Sequence, residues 1–387
     1  MDRCRAGCYI CERASTVRHD KKFGGWQIRA SPVICHKLGP PSRILLSKYM
    51  KDFRESVYRT SNFKRFFLMA TLPEIGKTPT FNIPIVDLSA FLQGKVESEA
   101  VQDLVKQIRL ACSTSGFFQI VGHGVSLTMQ DSALRASKAL FSLPEEEKLK
   151  LKERPGVGYE TFGAQILEAG RKPDLKEGYF INREIPGLQP PYKPFCRPNI
   201  WPQANLLPET EFKLPLLAYH TAMQELAVQL MDLLAKSLNV SDSDMMLNFC
   251  REPIAAVRLL HYPPHPDVED DALVGAGAHT DFGGITILLT DGNSGLQVLD
   301  QATNEWIDVP ARSDAFVVNM GDLLETWTSG YYKSNIHRVI NKSGKERYSV
   351  PFFFDGNPDF VVEPLDGSAT EIYTVQEHLL KRYEQSF

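Results

Sequence analysis

The sequence predicts a mainly β chain of sandwich or jelly-roll type with flanking helices. After Asn248, short runs rich in Val, Ile, Leu and Phe recur at 256–262, 284–290, 295–299, 305–309, 314–319, 335–340, 347–354 and 359–363. Gly, Asn, Asp and Pro punctuate them, as turns do between the strands of such folds. The helical patterns lie ahead of this region or at its end, so the strand–helix alternation of a parallel sheet is missing. No internal repeat is visible.

Taken in order, Phe81 to Leu88 reads as a short strand, and Pro84 near its start suits a sheet edge. From Glu97 to Cys112, Val101, Leu104, Val105, Ile108 and Ala111/Cys112 recur at helical spacing, and Gly116 ends that helix. Phe117 to Val121 reads as a second, buried strand. Ser126 to Ser142 is expected to be helical. A further helix restarts at Leu143-Pro144, with Glu145, Glu146 and Glu147 in its first turn. Residues 154–210 are rich in Gly and Pro and read as long ordered loops. Leu214 to Leu238 is the longest helical pattern, and a helix from Val375 to Tyr383 closes the chain.

At 387 residues, 43% apolar and 23% charged, the chain has the composition of a globular protein with a large core. Apolar runs such as Phe316 to Met320 are far too short to span a bilayer, so no membrane partner is expected. The net charge of −4 hides an asymmetry. Residues 1–68 carry 15 Lys and Arg against 5 Asp and Glu, whereas the remainder carries 28 against 42. An acidic body argues against nucleic acid as a partner. Cys112, Cys196 and Cys250 are isolated in the body, unlike a secreted disulfide framework, so a cytoplasmic location is expected, and the chain is expected to be a monomer.

Three regions follow: a basic extension over 1–68, an N-terminal region over 79–210, and a region over 211–387 holding the long helix and the β-rich core. The extension has the arginines of a mitochondrial leader, but Asp2, Glu12 and Asp20 fall where such leaders avoid acids. An alternative start lies at Met69. Cys4, Cys8 and Cys11 share a spacing that grips iron–sulfur clusters in radical enzymes, and Cys35-His36 is a further pair of metal-binding type. The barrel that accompanies such radical chemistry does not follow, so chance clustering is the preferred reading.

The chemistry concentrates at His279 and Asp281. Two apart on an extended segment, they face the same way, and His337 on a later strand-like run offers a third ligand. Two neutral imidazoles and a carboxylate on one face of an octahedron leave adjacent positions open, as non-haem Fe(II) oxygenases require. Ten residues beyond His337, Arg347 and Ser349 share a strand face, and an arginine inside an apolar barrel calls for an anion. Arg258, Leu260 and Tyr262 alternate onto one face before Pro263-Pro264, which brings Tyr262 within reach of the same anion.

These motifs, in this order, resemble the 2-oxoglutarate- and Fe(II)-dependent dioxygenase superfamily. The resemblance is to the branch holding isopenicillin N synthase, flavonol and anthocyanidin synthases and gibberellin oxidases. It covers about residues 79–365 and rests on Ile83-Pro84-Ile85-Val86-Asp87, Gly116-Phe117-Phe118, Tyr262-Pro263-Pro264, His279-Thr280-Asp281, Gly295-Leu296-Gln297-Val298, Asn319-Met320-Gly321-Asp322, His337-Arg338 and Arg347-Tyr348-Ser349. It implies a double-stranded β-helix, Fe(II) on His279, Asp281 and His337, and 2-oxoglutarate on Arg347 and Ser349 with Tyr262 assisting. With O₂ as second cosubstrate, the implied products are succinate, CO₂ and a hydroxylated, desaturated or cyclised metabolite. Leu260 departs from the branch, many members of which carry Asn there.

Substrate-facing candidates are Arg258, Phe282, Phe353 and Asp355, with Tyr159 and Phe162 from the Gly-rich loop. Arg258 is expected either to meet an acidic substrate group or to form a structural ion pair. The apolar character of the set points to a mid-sized, partly apolar metabolite. Two other readings stay open at this level: an oxidase that does not use 2-oxoglutarate, and a non-catalytic binding or sensor protein on the same scaffold.

Overall fold

The computed structural model describes residues 81–384 apart from 96–97, 155, 241–242, 266–273 and 369–371. The extension, with Cys4, Cys8, Cys11 and Cys35-His36, lies outside the described residues. Fifteen strands are present among the described residues: β1 Ile85–Asp87, β2 Phe117–Val121, β3 Lys152–Arg154, β4 Val157–Glu160, β5 Glu177–Asn182, β6 Ile254–Tyr262, β7 Ala276–His279, β8 Ile285–Thr290, β9 Leu296–Asp300, β10 Glu305–Asp308, β11 Phe316–Met320, β12 His337–Val339, β13 Arg347–Gly356, β14 Val361–Val362 and β15 Tyr373–Thr374. Nine form a major sheet in the order β1-β2-β11-β8-β13-β6-β5-β4-β3, and four form a minor sheet, β10-β9-β12-β7. This is the jelly roll. The edge position that Pro84 suggests is where β1 lies, paired in parallel with β2 alone.

The central strands of the major sheet are buried on both faces, so they read as near-continuous apolar runs rather than alternating ones. On β13, Val350, Phe352 and Phe354 turn toward the helices, while Arg347, Ser349, Pro351, Phe353 and Asp355 turn toward the minor sheet. On β6, Val257 and Leu259 go one way, Arg258, Leu260 and Tyr262 the other. The helix-side core is the larger, and the helix Lys213–Ser237 packs Leu216, Tyr219, Met223, Leu226 and Leu230 into it. The second core, with Phe117, Leu260, Tyr262, Leu296, Val298 and Val339, fills part of the space between the sheets.

The helix Glu99–Thr114 shows how local signals set the frame. Ser98 accepts a hydrogen bond from the Val101 N–H at its start (3.4 Å), and Val101, Leu104, Ile108, Ala111 and Cys112 are buried as their spacing predicts. Gly116 ends it in a left-handed turn (φ +71°). A Cβ there would lie 2.0 Å from the Lys333 carbonyl oxygen, so only glycine lets the chain turn directly into β2.

The region expected to be loop from 154 to 210 contains β4 and β5. These strands extend the major sheet beyond β6, and β1 and β2 extend it at the other edge, so segments 79–210 and 211–387 share one sheet. Gly178 accounts for much of the difference. It interrupts the apolar pattern of β5, yet a Cβ there would crowd the Glu160 and Arg258 side chains at 2.9 and 3.2 Å. No helix among the described residues is long and apolar enough to cross a membrane.

Candidate metal centre and cosubstrate pocket

His279 ends β7, and Asp281 lies two residues past it, so the pair straddles a strand end rather than sharing a strand. Pairing of β12 with β7 sets His337 directly opposite His279. The ligand atoms of His279, Asp281 and His337 lie within 4.8 Å of one another. Asp281 Oδ1 is 3.9 Å from His279 Nε2 and 3.7 Å from His337 Nε2. This is the separation of donors that converge on one ion rather than bond to each other.

The surroundings fix which atoms face inward. The Nδ1–H of His279 donates to the Gly277 carbonyl at 2.7 Å and that of His337 to the Asn335 carbonyl at 3.1 Å. A carbonyl only accepts, so Nδ1 carries the proton and Nε2 keeps its lone pair for the centre. Burial, with His337 close by, pushes the His279 imidazolium down to about 3, so the ring is a neutral donor. Asp281 Oδ2 accepts from the Thr286 hydroxyl (2.5 Å) and from Asn319 Nδ2 (2.7 Å), which leaves Oδ1 turned to the histidines. Burial alone would raise the Asp281 carboxyl, but His337, His279 and these two bonds hold it below the ordinary range. Phe117 packs edge-on to His337, with ring centroids 5.3 Å apart. The donor set fits an octahedral ion with three adjacent positions left open.

Deeper between the sheets lies Arg347, 1% exposed. Its Nη1 is 3.5 Å from Ser349 Oγ, its Nε is 3.4 Å from the Asn293 carbonyl, and the Tyr262 ring lies 5.0 Å from its Cζ. Among the described residues, no carboxylate lies within salt-bridge distance. A buried guanidinium with two long hydrogen bonds and no anion is costly to the protein alone. It fits a ligand that brings its own carboxylate. Leu260 lines the same wall, so the position offers only apolar contact.

The cavity and the open space at its mouth together span about 1210 Å³. Phe282, Phe353, Asp355 and Arg258 line it, as does Tyr383 from the helix Val375–Glu384. Two expected contacts do not reach it. Tyr159 is buried on the opposite face of β4, where its hydroxyl donates to Glu177 Oε2 at 2.6 Å. Phe162 is 43% exposed and packs its ring against His261, 6.1 Å between centroids. For Tyr159 the reason is strand alternation: the stretch that reads as a loop is β4, and its pleat turns Glu160, not Tyr159, toward Arg258.

Arg258 forms the ion pair rather than waiting for an acidic ligand. Its Nη2 donates to Glu160 Oε2 and, at 2.9 Å, to Gln165 Oε1. Lys176, which also lines the cavity, is paired with Asp174. Burial pulls its ammonium down to about 8. Asp355 has no cation at salt-bridge distance among the described residues, and burial, reinforced by the Asp281 charge, lifts its carboxyl to about 7.

Sequence reading misses Thr286, Asn319, Glu160, Gln165, Lys176, Asp174 and Tyr383. The alternation of β8 and β11 carries a signal for Thr286 and Asn319, polar residues inside strands that are mostly apolar. Glu160 and Lys176 meet their partners only through sheet register and loop path, and no sequence spacing announces that.

Residues 243–356 match the 2OG-Fe(II) oxygenase superfamily, and residues 83–204 match the family described as the N-terminal region of non-haem dioxygenase in morphine synthesis. The 2-oxoglutarate-dependent dioxygenase citB of Monascus ruber is 42% identical over 318 residues, covering 80% of this chain and 96% of that protein. Clavatol oxidase claD of Penicillium crustosum is 40% identical over 336 residues, covering 80% and 98%. Among solved structures, a full-length Neurospora crassa protein in complex with alpha-KG and thymine superposes with a TM-score of 0.68 at 26% identity, covering 78% of this chain and 96% of that one.

Proposed function

The chain belongs to the 2OG-Fe(II) oxygenase superfamily, and on that premise we propose that His279, Asp281 and His337 hold the iron, that Arg347, Ser349 and Tyr262 hold the distal carboxylate of 2-oxoglutarate, and that the substrate is a small, uncharged, partly apolar molecule. The protein is a 2-oxoglutarate-dependent dioxygenase. The observation that carries the site assignment is the pairing, in one cavity, of a converging His-Asp-His set with a buried arginine that meets no carboxylate among the described residues.

When bound, iron and 2-oxoglutarate supply the oxidation of a C–H bond by O₂, with succinate and CO₂ released. The chain's own residues do the positioning. Thr286 and Asn319 hold Asp281 so that one oxygen faces the centre. Gly277 and Asn335 carbonyls orient the imidazoles. Arg347 and Ser349 would hold the far end of the cosubstrate and so restrict how it lies in the cavity. Phe282 and Phe353 exclude water and offer flat apolar walls.

Charge supports this substrate class. Both cations on the substrate side, Arg258 and Lys176, already have carboxylate partners, and Asp355 adds an acid without a cation. An anionic substrate would find these two positive charges already neutralised and would face Asp355. A neutral molecule with a hydroxyl or amide group suits the site, with Asp355 as its hydrogen-bond partner. The test is succinate release with matched uncharged and carboxylate aromatics, for example hydroxybenzaldehydes against hydroxybenzoates. Release triggered by the uncharged set is expected; release triggered by the carboxylates alone overturns the substrate class. Substrate consumed without succinate would sink the use of 2-oxoglutarate.

A further inference from the structure

We propose that His261 is a positioning residue for 2-oxoglutarate: as an imidazolium it ties β5 and the start of β13 to β6, and so holds Tyr262, Arg347 and Ser349 in register. The proposal rests on the assignment of those three residues to the cosubstrate. His261 lies on the helix side of β6, outside the cavity. Its Nδ1 is 2.7 Å from Glu177 Oε1 and its Nε2 is 2.6 Å from Glu346 Oε2. Carboxylates only accept, so both ring nitrogens must carry hydrogen for both bonds to form. The doubly bonded ring is therefore charged.

The position of these partners gives the clamp its purpose. Glu346 immediately precedes Arg347, and its carbonyl accepts from Asn293 Nδ2 at 3.1 Å, whose own carbonyl faces Arg347 Nε. His261 immediately precedes Tyr262, and β6–β13 pairing sets His261 opposite Tyr348 and Tyr262 opposite Arg347. Glu177 begins β5, the next strand across. One ring thus links the ends of three adjacent strands, and two of them carry the proposed anion site on their other face.

The groups around His261 favour its charged form. Glu177 Oε2 accepts from Lys148 at 2.7 Å and from the Tyr159 hydroxyl at 2.6 Å, and Glu145 reaches the same lysine at 3.1 Å. From the helix Leu127–Phe141, Phe141 stacks on the imidazole at 5.6 Å, and Lys138 sits over the Tyr348 ring, which also stacks on the imidazole at 4.8 Å. Phe162 closes the edge. Three carboxylates against Lys148 leave room for a second cation in the cluster. Burial opposes protonation, but Glu177 and Glu346 outweigh it and raise the histidine above its usual value. With both carboxylates ionised, the clamp is intact below that raised value and is lost as pH rises through it.

The test is anaerobic calorimetric titration of 2-oxoglutarate into the full chain loaded with Fe(II), across a pH range that brackets histidine titration. The dissociation constant should rise with pH by about fivefold, a fraction of the worth of a charged hydrogen bond, through an inflection set by His261. Glu346→Gln removes one of the two carboxylates from a half-exposed position and should move that inflection to lower pH. His261→Gln should bind weakly and lose the inflection that Glu346→Gln moves. Nitrogen NMR of histidine-labelled protein should show one ring protonated on both nitrogens, absent from His261→Gln. An inflection unmoved by Glu346→Gln, or a flat wild-type profile, overturns the clamp even if His261→Gln fails to fold. Arg347→Met binding 2-oxoglutarate as tightly as wild type would instead bring down the underlying assignment, and the clamp's purpose with it.

Discussion

Replacing Arg347 with Met separates the role of the guanidinium in the fold from its role toward the cosubstrate. The side chain is 1% exposed, its two hydrogen bonds are long at 3.4 and 3.5 Å, and no carboxylate meets it among the described residues. Without ligand, it is a buried cation held by the Tyr262 ring and two weak bonds. Met of similar length removes the charge and keeps most of the packing, so the ligand-free protein should stay within about 1 kcal/mol of wild type. The loaded protein should differ sharply. Losing one partner of a buried ion pair costs about 3 kcal/mol, or roughly 160-fold in affinity. Scanning calorimetry of the Fe(II)-loaded protein, kept anaerobic, reads both effects. With 2-oxoglutarate at about 100 times the wild-type dissociation constant, wild type should gain about 2.7 kcal/mol and Arg347→Met about 0.3 kcal/mol. Equal gains would refute the anion-site role. A ligand-free variant destabilised by several kcal/mol would show that the arginine serves the fold instead.

Asn319→Ala removes one of the two bonds that turn Asp281 toward the histidines, and it should weaken Fe(II) binding about 10- to 100-fold with an unchanged circular dichroism spectrum. Unaltered iron affinity would mean Asp281 needs no such support. Phe352→Ala empties a fully buried position on the helix side of β13 and should lower unfolding stability by about 3–5 kcal/mol, while the folded fraction keeps its 2-oxoglutarate affinity. A matching loss of affinity would show that the two faces of the strand are not independent. Chelation should remove activity but not the fold, because the ligand rings are held by backbone carbonyls as well; unfolding on chelator addition, followed by circular dichroism, would contradict this.

Much of this is legible in the sequence because burial follows strand period. Arg347, Ser349, Phe353 and Asp355 fall on one face of β13 by alternation alone, and Arg258 and Tyr262 do so on β6. Gly116 marks the helix end because a left-handed turn against the Lys333 carbonyl leaves room for no other residue. Tyr159 misleads because glycines at 156, 158 and 163 give β4 the look of a loop, whereas its pleat turns Glu160 inward; Phe162 lies past the end of that strand. The strand β7 is hidden as well, since Ala276-Gly277-Ala278-His279 lacks the branched and aromatic residues that mark strands. The partners of Arg258 and Lys176 are out of reach for another reason. Glu160 lies 98 residues from Arg258, and nothing local in either segment encodes the pairing.

The most direct test of the account is anaerobic Fe(II) titration by calorimetry of wild type, His279→Ala, Asp281→Ala and His337→Ala, each then supplied with 2-oxoglutarate. Wild type should bind a single iron per chain and then the cosubstrate. Each variant should keep the wild-type circular dichroism spectrum and lose both binding events. Tight iron binding retained by Asp281→Ala or by either histidine variant would contradict the assignment of these three residues to the metal.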